Sequence, residues 1–192
     1  TQLQEAGVIV ENDAADTIIG GFTAQERNVN VRATNGILVR SGARRVTIQN
    51  NSVAGNSQTG ITVANAADVL IGGNHPQSPN DITFNPVGVS VEGANAVNAQ
   101  ILANRINQNT NGIVLRDGAH GNLITSSNQI TQNRTGVYVT GALSNSILNN
   151  LIERNTGAGV LLDSGATANV LRENTIVANG IDLTLHAGVE VT

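Results

Sequence analysis

The chain of 192 residues has no cysteine, no methionine, no tryptophan and no lysine. Without cysteine there is no disulfide framework and no thiolate metal site, so redox logic does not fix a compartment. All ten basic residues are arginine against 14 acids, giving a net charge of −4, and charged residues make up only 12% of the chain. That balance excludes a basic stripe for a phosphate backbone, so nucleic acid is not an expected partner. Uninterrupted apolar runs are short, which excludes a membrane-spanning helix. The aromatics are Phe22, Phe84 and Tyr138 alone. A compact globule of this size would use more large rings, so the interior must be built from Val, Ile, Leu and Ala. That composition suits a narrow core of stacked, mostly β-branched side chains.

What the chain does have is a repeat. The skeleton Asn-x-(Val/Ile)-x-x-Asn, a short gap, then Gly-(Ile/Val)-x-(Val/Leu) is seen at Asn51 to Asn56 followed by Gly60-Ile61-Thr62-Val63. It recurs at Asn80 to Asn85, Asn104 to Asn109, Asn128 to Asn133, Asn150 to Asn155 and Asn174 to Asn179. A weaker copy begins at Asn28, with Asn30 in the apolar slot and Ala33 in place of the second Asn. The glycine that opens each unit falls at Gly7, Gly36, Gly60, Gly88, Gly112, Gly136 and Gly159. A period near 24 residues is that of a solenoid. Within a unit, Gly36-Ile37-Leu38-Val39-Arg40, a Ser-Gly turn and Val46-Thr47-Ile48 read as strand, turn, strand, and the apolar residue between the two Asn supplies a third short strand. The expected fold is therefore all-β. It is a parallel coil of seven rungs and a partial eighth (Ile181 to Thr192), roughly 35 Å long at about 4.8 Å per rung.

The two Asn positions have a physical reason. Stacked at the corners between strands, their amides bond to one another and to turn backbone that would otherwise be buried unpaired. Asn also tolerates the left-handed backbone that tight corners need. One ladder is expected through Asn28, Asn51, Asn80, Asn104, Asn128, Asn150 and Asn174, and a second through Asn56, Asn85, Asn109, Asn133, Asn155 and Asn179.

This repeat resembles the right-handed parallel β-helix repeats of the pectin-lyase-like superfamily, over essentially the whole chain. Ile19-Gly20-Gly21 before Asn28 and Ile71-Gly72-Gly73 before Asn80 resemble insertions in large repetitive surface and secreted proteins of bacteria. The resemblance implies the right hand of the coil, which crossover chirality also favours.

Two places are candidates for function. The Ile-Gly-Gly insertions lie two rungs apart at one corner, so Thr23, Gln25, Glu26 and Arg27 are expected to face His75, Gln77, Ser78 and Asp81 as a ligand-binding rim, since loops carry function more often than scaffold. The competing reading is a pair of tolerated surface insertions. The residues just after the first strand stack as Glu11, Arg40, Ala64, Glu92, Arg116, Thr140 and Asp163, either a charged stripe for a polysaccharide or an exposed ion-pair ladder. Within it Glu92, Arg116, Asp117 and His120 are the catalytic candidates, because a glycosidase needs two carboxyls roughly 5–9.5 Å apart. The family resemblance raises calcium. However, Asp117 and Asp163 are two rungs apart, too far to share an ion with ligands at about 2.3–2.6 Å, and no cofactor is called for. The three histidines, His75, His120 and His186, lie on distant rungs, so no metal triad follows.

Three functions are thus in view. The favoured one is a non-catalytic structural or adhesive module of an extracellular or cell-surface protein, with polysaccharide or other surface proteins as partners. The second is a carbohydrate-binding or polysaccharide-processing lyase, hydrolase or epimerase. The third is a filament subunit that self-associates through uncapped ends. The 192 residues are expected to form one domain and to be part of a longer chain, because Thr1 does not read as a native start and no capping helix is legible before Gly7 or after Ile181.

Overall fold

A computed structural model describes residues 3–186. Three parallel sheets wrap one core. The first sheet holds Ala6–Val10, Asn35–Arg40, Thr59–Ala64, Val87–Glu92, Asn111–Arg116, Thr135–Thr140, Ala158–Leu162 and Ile181–Leu185. The second runs from Ile18–Ile19 through Leu70–Gly72 to Val170–Arg172, and the third from Val29–Val31 through Arg105–Asn107 to Thr175–Val177, with seven strands each. The chain makes seven rungs and begins an eighth with Ile181–Leu185; the remainder of that expected rung lies outside the described residues.

Because each rung repeats the register of the one before, every core position becomes a column. Ile37, Ile61, Val89, Ile113, Val137 and Val160 form one, and Ile48, Ile71, Ile101, Ile124 and Ile147 another, all 0–1% exposed. An alanine column (Ala43, Ala66, Ala96, Ala119, Ala142, Ala166), buried throughout, lines the corner between the first and second sheets. The glycine column at the start of the first sheet has a steric cause. A Cβ on Gly112 would lie 2.5 Å from the carbonyl oxygen of Gly136 on the next rung and 2.9 Å from Ile130. Asp182 occupies this column in the last described strand, where no described rung stacks upon it.

Both expected asparagine ladders are present. In each, the Nδ2 of one Asn donates to the Oδ1 of the next, from Asn28 to Asn51 at 2.9 Å and through Asn80, Asn104, Asn128 and Asn150 to Asn174. The second ladder runs likewise from Asn56 through Asn85, Asn109, Asn133 and Asn155 to Asn179. It closes on Asp182, whose Oδ1 accepts from the Asn179 amide at 3.2 Å and side chain at 3.0 Å.

Two features depart from the sequence reading. The left-handed corner residue is the one before the ladder Asn: Phe84, Gln108, Gln132 and Arg154 have φ of 55 to 57°, while no ladder Asn has positive φ. The Asn is therefore selected for its buried carboxamide and not for backbone tolerance. A third ladder also exists. The Ala99 amide donates to Asn122 at 2.8 Å, Asn122 to Asn145 and Asn145 to Asn169 at 3.0 Å each, at the corner that opens the second sheet.

Candidate functional site

The stripe stacks in register as Glu11, Arg40, Ala64, Glu92, Arg116 and Thr140, with Asp163 next. Arg40, Ala64, Glu92, Arg116 and Thr140 are the last residues of first-sheet strands and not the residues after them, as the spacing suggests, while Glu11 and Asp163 follow their strands. Its outward charges meet in contact. Arg40 Nε donates to Glu11 at 2.7 Å, and its terminal nitrogen pairs with Glu5. Arg116 Nε donates to Glu92 at 2.8 Å while lying 3.5 Å from Asp117 Oδ2, and the Ser90 hydroxyl donates to the same Glu92 oxygen at 2.8 Å. The fold thus brings Glu92, Arg116 and Asp117 together with the guanidinium between the carboxylates. His120 turns away to its own loop, its Nδ1 3.1 Å from the Gly118 carbonyl. Exposed, solvent-screened pairs of this kind contribute little to stability.

Farther along the same face is a group that the spacing does not reveal. The Tyr138 hydroxyl donates to Asp163 Oδ2 at 3.0 Å, the Ser164 amide donates to Oδ1 at 2.7 Å, and His186 Nδ1 lies 3.1 Å from Oδ1. The Ser164 amide, then the Tyr138 hydroxyl, hold the Asp163 carboxyl below its ordinary range. Burial, then the neighbouring carboxylate, push the Tyr138 phenol up. The result is a protonated phenol locked onto an ionised acid.

The insertion corner is closed more tightly than a pair of facing loops. The Phe22 and His75 rings lie 4.3 Å apart between centroids, tilted by 42°. Arg27 pairs with Asp81 at 2.6 Å, and Arg105 approaches the same carboxylate at 3.3 Å. The intervening rung has no insertion and is gripped from both sides: Asn50 Nδ2 donates to the Thr23 carbonyl and its amide to the Ser78 carbonyl, both at 2.9 Å. Glu26 closes the short 3-10 turn Ala24–Glu26 by accepting from the Phe22 and Thr23 amides and the Thr23 hydroxyl at 2.9–3.0 Å. The Thr23 hydroxyl, then its amide, hold the Glu26 carboxyl below its ordinary range. Ser78 is 1% exposed, so the hydroxyl expected on the rim is withdrawn from solvent by the tight loop around it. The Gln77 amide donates to His75 Nδ1 at 3.2 Å, and Thr23, Gln25, Glu26, His75 and Gln77 remain exposed while Arg27 and Asp81 are half-buried. Most polar groups of this corner thus face each other.

Among the described residues no three His, Asp or Glu side chains gather as a metal-binding group, and no helix is long and apolar enough to cross a membrane. The two glycosylation-type sequons of the sequence, Asn50-Asn51-Ser52 and Asn133-Arg134-Thr135, start at buried Asn: Asn50 is 8% exposed and Asn133 0%.

No curated protein matches the chain. Among solved structures it is similar to two variants of the periplasmic alginate epimerase AlgG. The TM-scores are 0.70 and 0.73 at 20% and 19% identity, covering 97% of this chain and 48% and 47% of theirs. The chain spans about half the length of these neighbours, and at such identity the likeness is one of fold. The family described as right handed beta helix region matches residues 35–192. With its three parallel sheets, Asn ladders and rungs of about 24 residues, this chain belongs to the right-handed β-helix family.

Proposed function

We propose that the chain is a rigid, non-catalytic β-helix module of a secreted or surface-exposed protein, acting as a spacer or adhesin. The observation that carries this reading is the pair of asparagine ladders spanning the described rungs, which ties each rung to the next by buried bonds that cannot slip in register. The charges of the stripe and of the insertion corner support it, since they bond mainly to one another. The test incubates the chain with alginate and other uronate polymers, with and without calcium. Epimerisation is followed by NMR, elimination by the absorbance of unsaturated ends and hydrolysis by new reducing ends. No turnover by well-folded protein is the expected result.

A second reading is favoured by one arrangement. Glu92, Arg116 and Asp117 share the open face of the first sheet, in a fold like that of an epimerase acting on a polyuronate. In that reading Arg116 neutralises a sugar carboxylate, and Glu92 and Asp117 act as the acid–base pair. Turnover abolished by Glu92→Gln and by Arg116→Gln would replace the first reading with this one.

A further inference from the structure

The corner between the third and first sheets carries a track that the functional reading above does not use. The left-handed residues there stack one per rung as Arg32, Gly55, Phe84, Gln108, Gln132, Arg154 and Ala178, with Arg134 beside Gln132 and Arg154 tied to its neighbour Glu153 at 3.4 Å. Phe84 is the anomaly in this column. It is a bulky residue held at φ 56° and 61% exposed, a position disfavoured both by backbone sterics and by water. A strained, exposed aromatic points to function before stability. Its ring is open on both sides. Toward the start of the coil Gly55 leaves open space, with nothing within 4 Å of where a Cβ would be, in a hollow of about 380 Å³. Toward the end a shallow groove of about 610 Å³ runs past Gln108 and Gln132 to Arg134. Arg32 and Arg134 are exposed, and neither has a carboxylate partner among the described residues.

We propose that this track binds an extended acidic polysaccharide, with one sugar ring stacked on Phe84. The chemistry of each group fits. An aromatic face packs against the apolar C–H face of a pyranose ring, primary amides donate to and accept from hydroxyls, and a guanidinium takes a sugar carboxylate in bidentate fashion. The geometry fits too. Gln108 and Gln132 repeat at the rung spacing of about 4.8 Å, close to the rise of one residue in an extended polysaccharide, so successive sugars meet the same donor. Arg32 and Arg134 stand four rungs apart, about 19 Å, which leaves room for several sugars between anchored carboxylates. Two cations on this track, unpaired with any carboxylate among the described residues, on a chain of net charge −4, select a sparsely charged polymer over the dense phosphates of a nucleic acid. The track lies on a different corner from Glu92 and Arg116, so binding here entails no catalysis. The inference rests on the adhesive form of the proposed function.

The test titrates the whole chain with oligouronates, with a neutral glucan and a single-stranded oligonucleotide as the other arms, by calorimetry at two salt concentrations. Phe84→Asn removes the ring while keeping a residue at home in the left-handed region, so this variant is expected to fold, which circular dichroism checks. The proposal expects oligouronate binding that weakens about tenfold in Phe84→Asn, the loss of one aromatic contact, and severalfold in Arg134→Gln. It also expects weak binding of the neutral and nucleic acid arms. Binding that Phe84→Asn leaves unchanged overturns this site but keeps the adhesive reading. Tighter binding of the oligonucleotide overturns the ligand class. No binding in any arm overturns the proposal and leaves the rigid-spacer reading standing.

Discussion

Asn104 shows what one residue does in this fold. Its Oδ1 accepts from the Asn80 amide at 3.2 Å and side chain at 2.9 Å, while its own Nδ2 donates to the Ile71 carbonyl, the Leu102 carbonyl and Asn128. It is 0% exposed, so truncation strands several buried groups at once. Asn104→Ala is expected to destabilise by about 3 kcal/mol or more, at roughly 1–3 kcal/mol per unsatisfied buried group, as measured by urea unfolding. Asn104→Asp keeps the shape and both acceptor contacts but loses the donor to the two carbonyls and to Asn128 Oδ1, so it is expected to be destabilising near neutral pH. The opposite case is Asn30, which stands in the column of Val53 and Ile82. Its Nδ2 is buried without a hydrogen-bond partner among the described residues. Asn30→Val restores the column and is expected to stabilise by about 1 kcal/mol; a lower midpoint than wild type would show that the carboxamide has a role in the first rung. These residues also mark what sequence can show. The two long ladders and the glycine period are legible because the same steric and hydrogen-bonding demand recurs at every rung. The third ladder is not, because Val46, Val69 and Ala99 fill its place in earlier rungs and only Asn122, Asn145 and Asn169 continue it.

At the scale of elements, the insertions are where sequence spacing falls short. It places Arg27 near Asp81 but says nothing of Phe22 meeting His75, because the contact depends on the intervening rung having no insertion. It is also silent on why each insertion opens Gly-Gly. Gly20 has φ +90°, and a Cβ on it would lie 1.8 Å from the Gln49 carbonyl oxygen. The same holds for Gly72 against Leu102, at 1.9 Å. Gly20→Ala must therefore displace the neighbouring strand, and hydrogen exchange at Gln49 to Ser52 is expected to accelerate. Acid should loosen this corner too. The folded Glu26 value lies below the ordinary 4.5. Its contribution is thus complete above about that pH and is lost as pH falls through the lower folded value. Exchange at Phe22 and Thr23 should rise in that window, and a Glu26→Gln variant should show little such pH dependence.

For the whole molecule, the question is how far the rungs act as one body, and the single tyrosine offers a probe. With no tryptophan in the chain, intrinsic fluorescence reports on Tyr138 alone. That residue sits in the first sheet and holds Asp163, which in turn contacts His186 after the last described strand. A phenol donating to a carboxylate is quenched. The Asp163 value is held below the ordinary 3.8, so the quenched, tied state persists as pH falls past that point and is released only as pH passes through the lower folded value. Fluorescence is therefore expected to rise with a midpoint below 3.8. At the alkaline end the phenol should ionise above its ordinary 10.0, because burial raises it first and Asp163 adds to this. Asp163→Asn should abolish the acid transition and lower the alkaline midpoint only in part, since burial remains. In a solenoid each rung touches only its neighbours, so stability is a sum of local terms joined by interfaces. If the ladders make those interfaces strong, the acid transition moves Tyr138 alone, while far-ultraviolet circular dichroism stays unchanged through it. If circular dichroism falls together with the fluorescence change, the rungs are coupled through this one carboxylate, and the coil is far less rigid than a spacer requires.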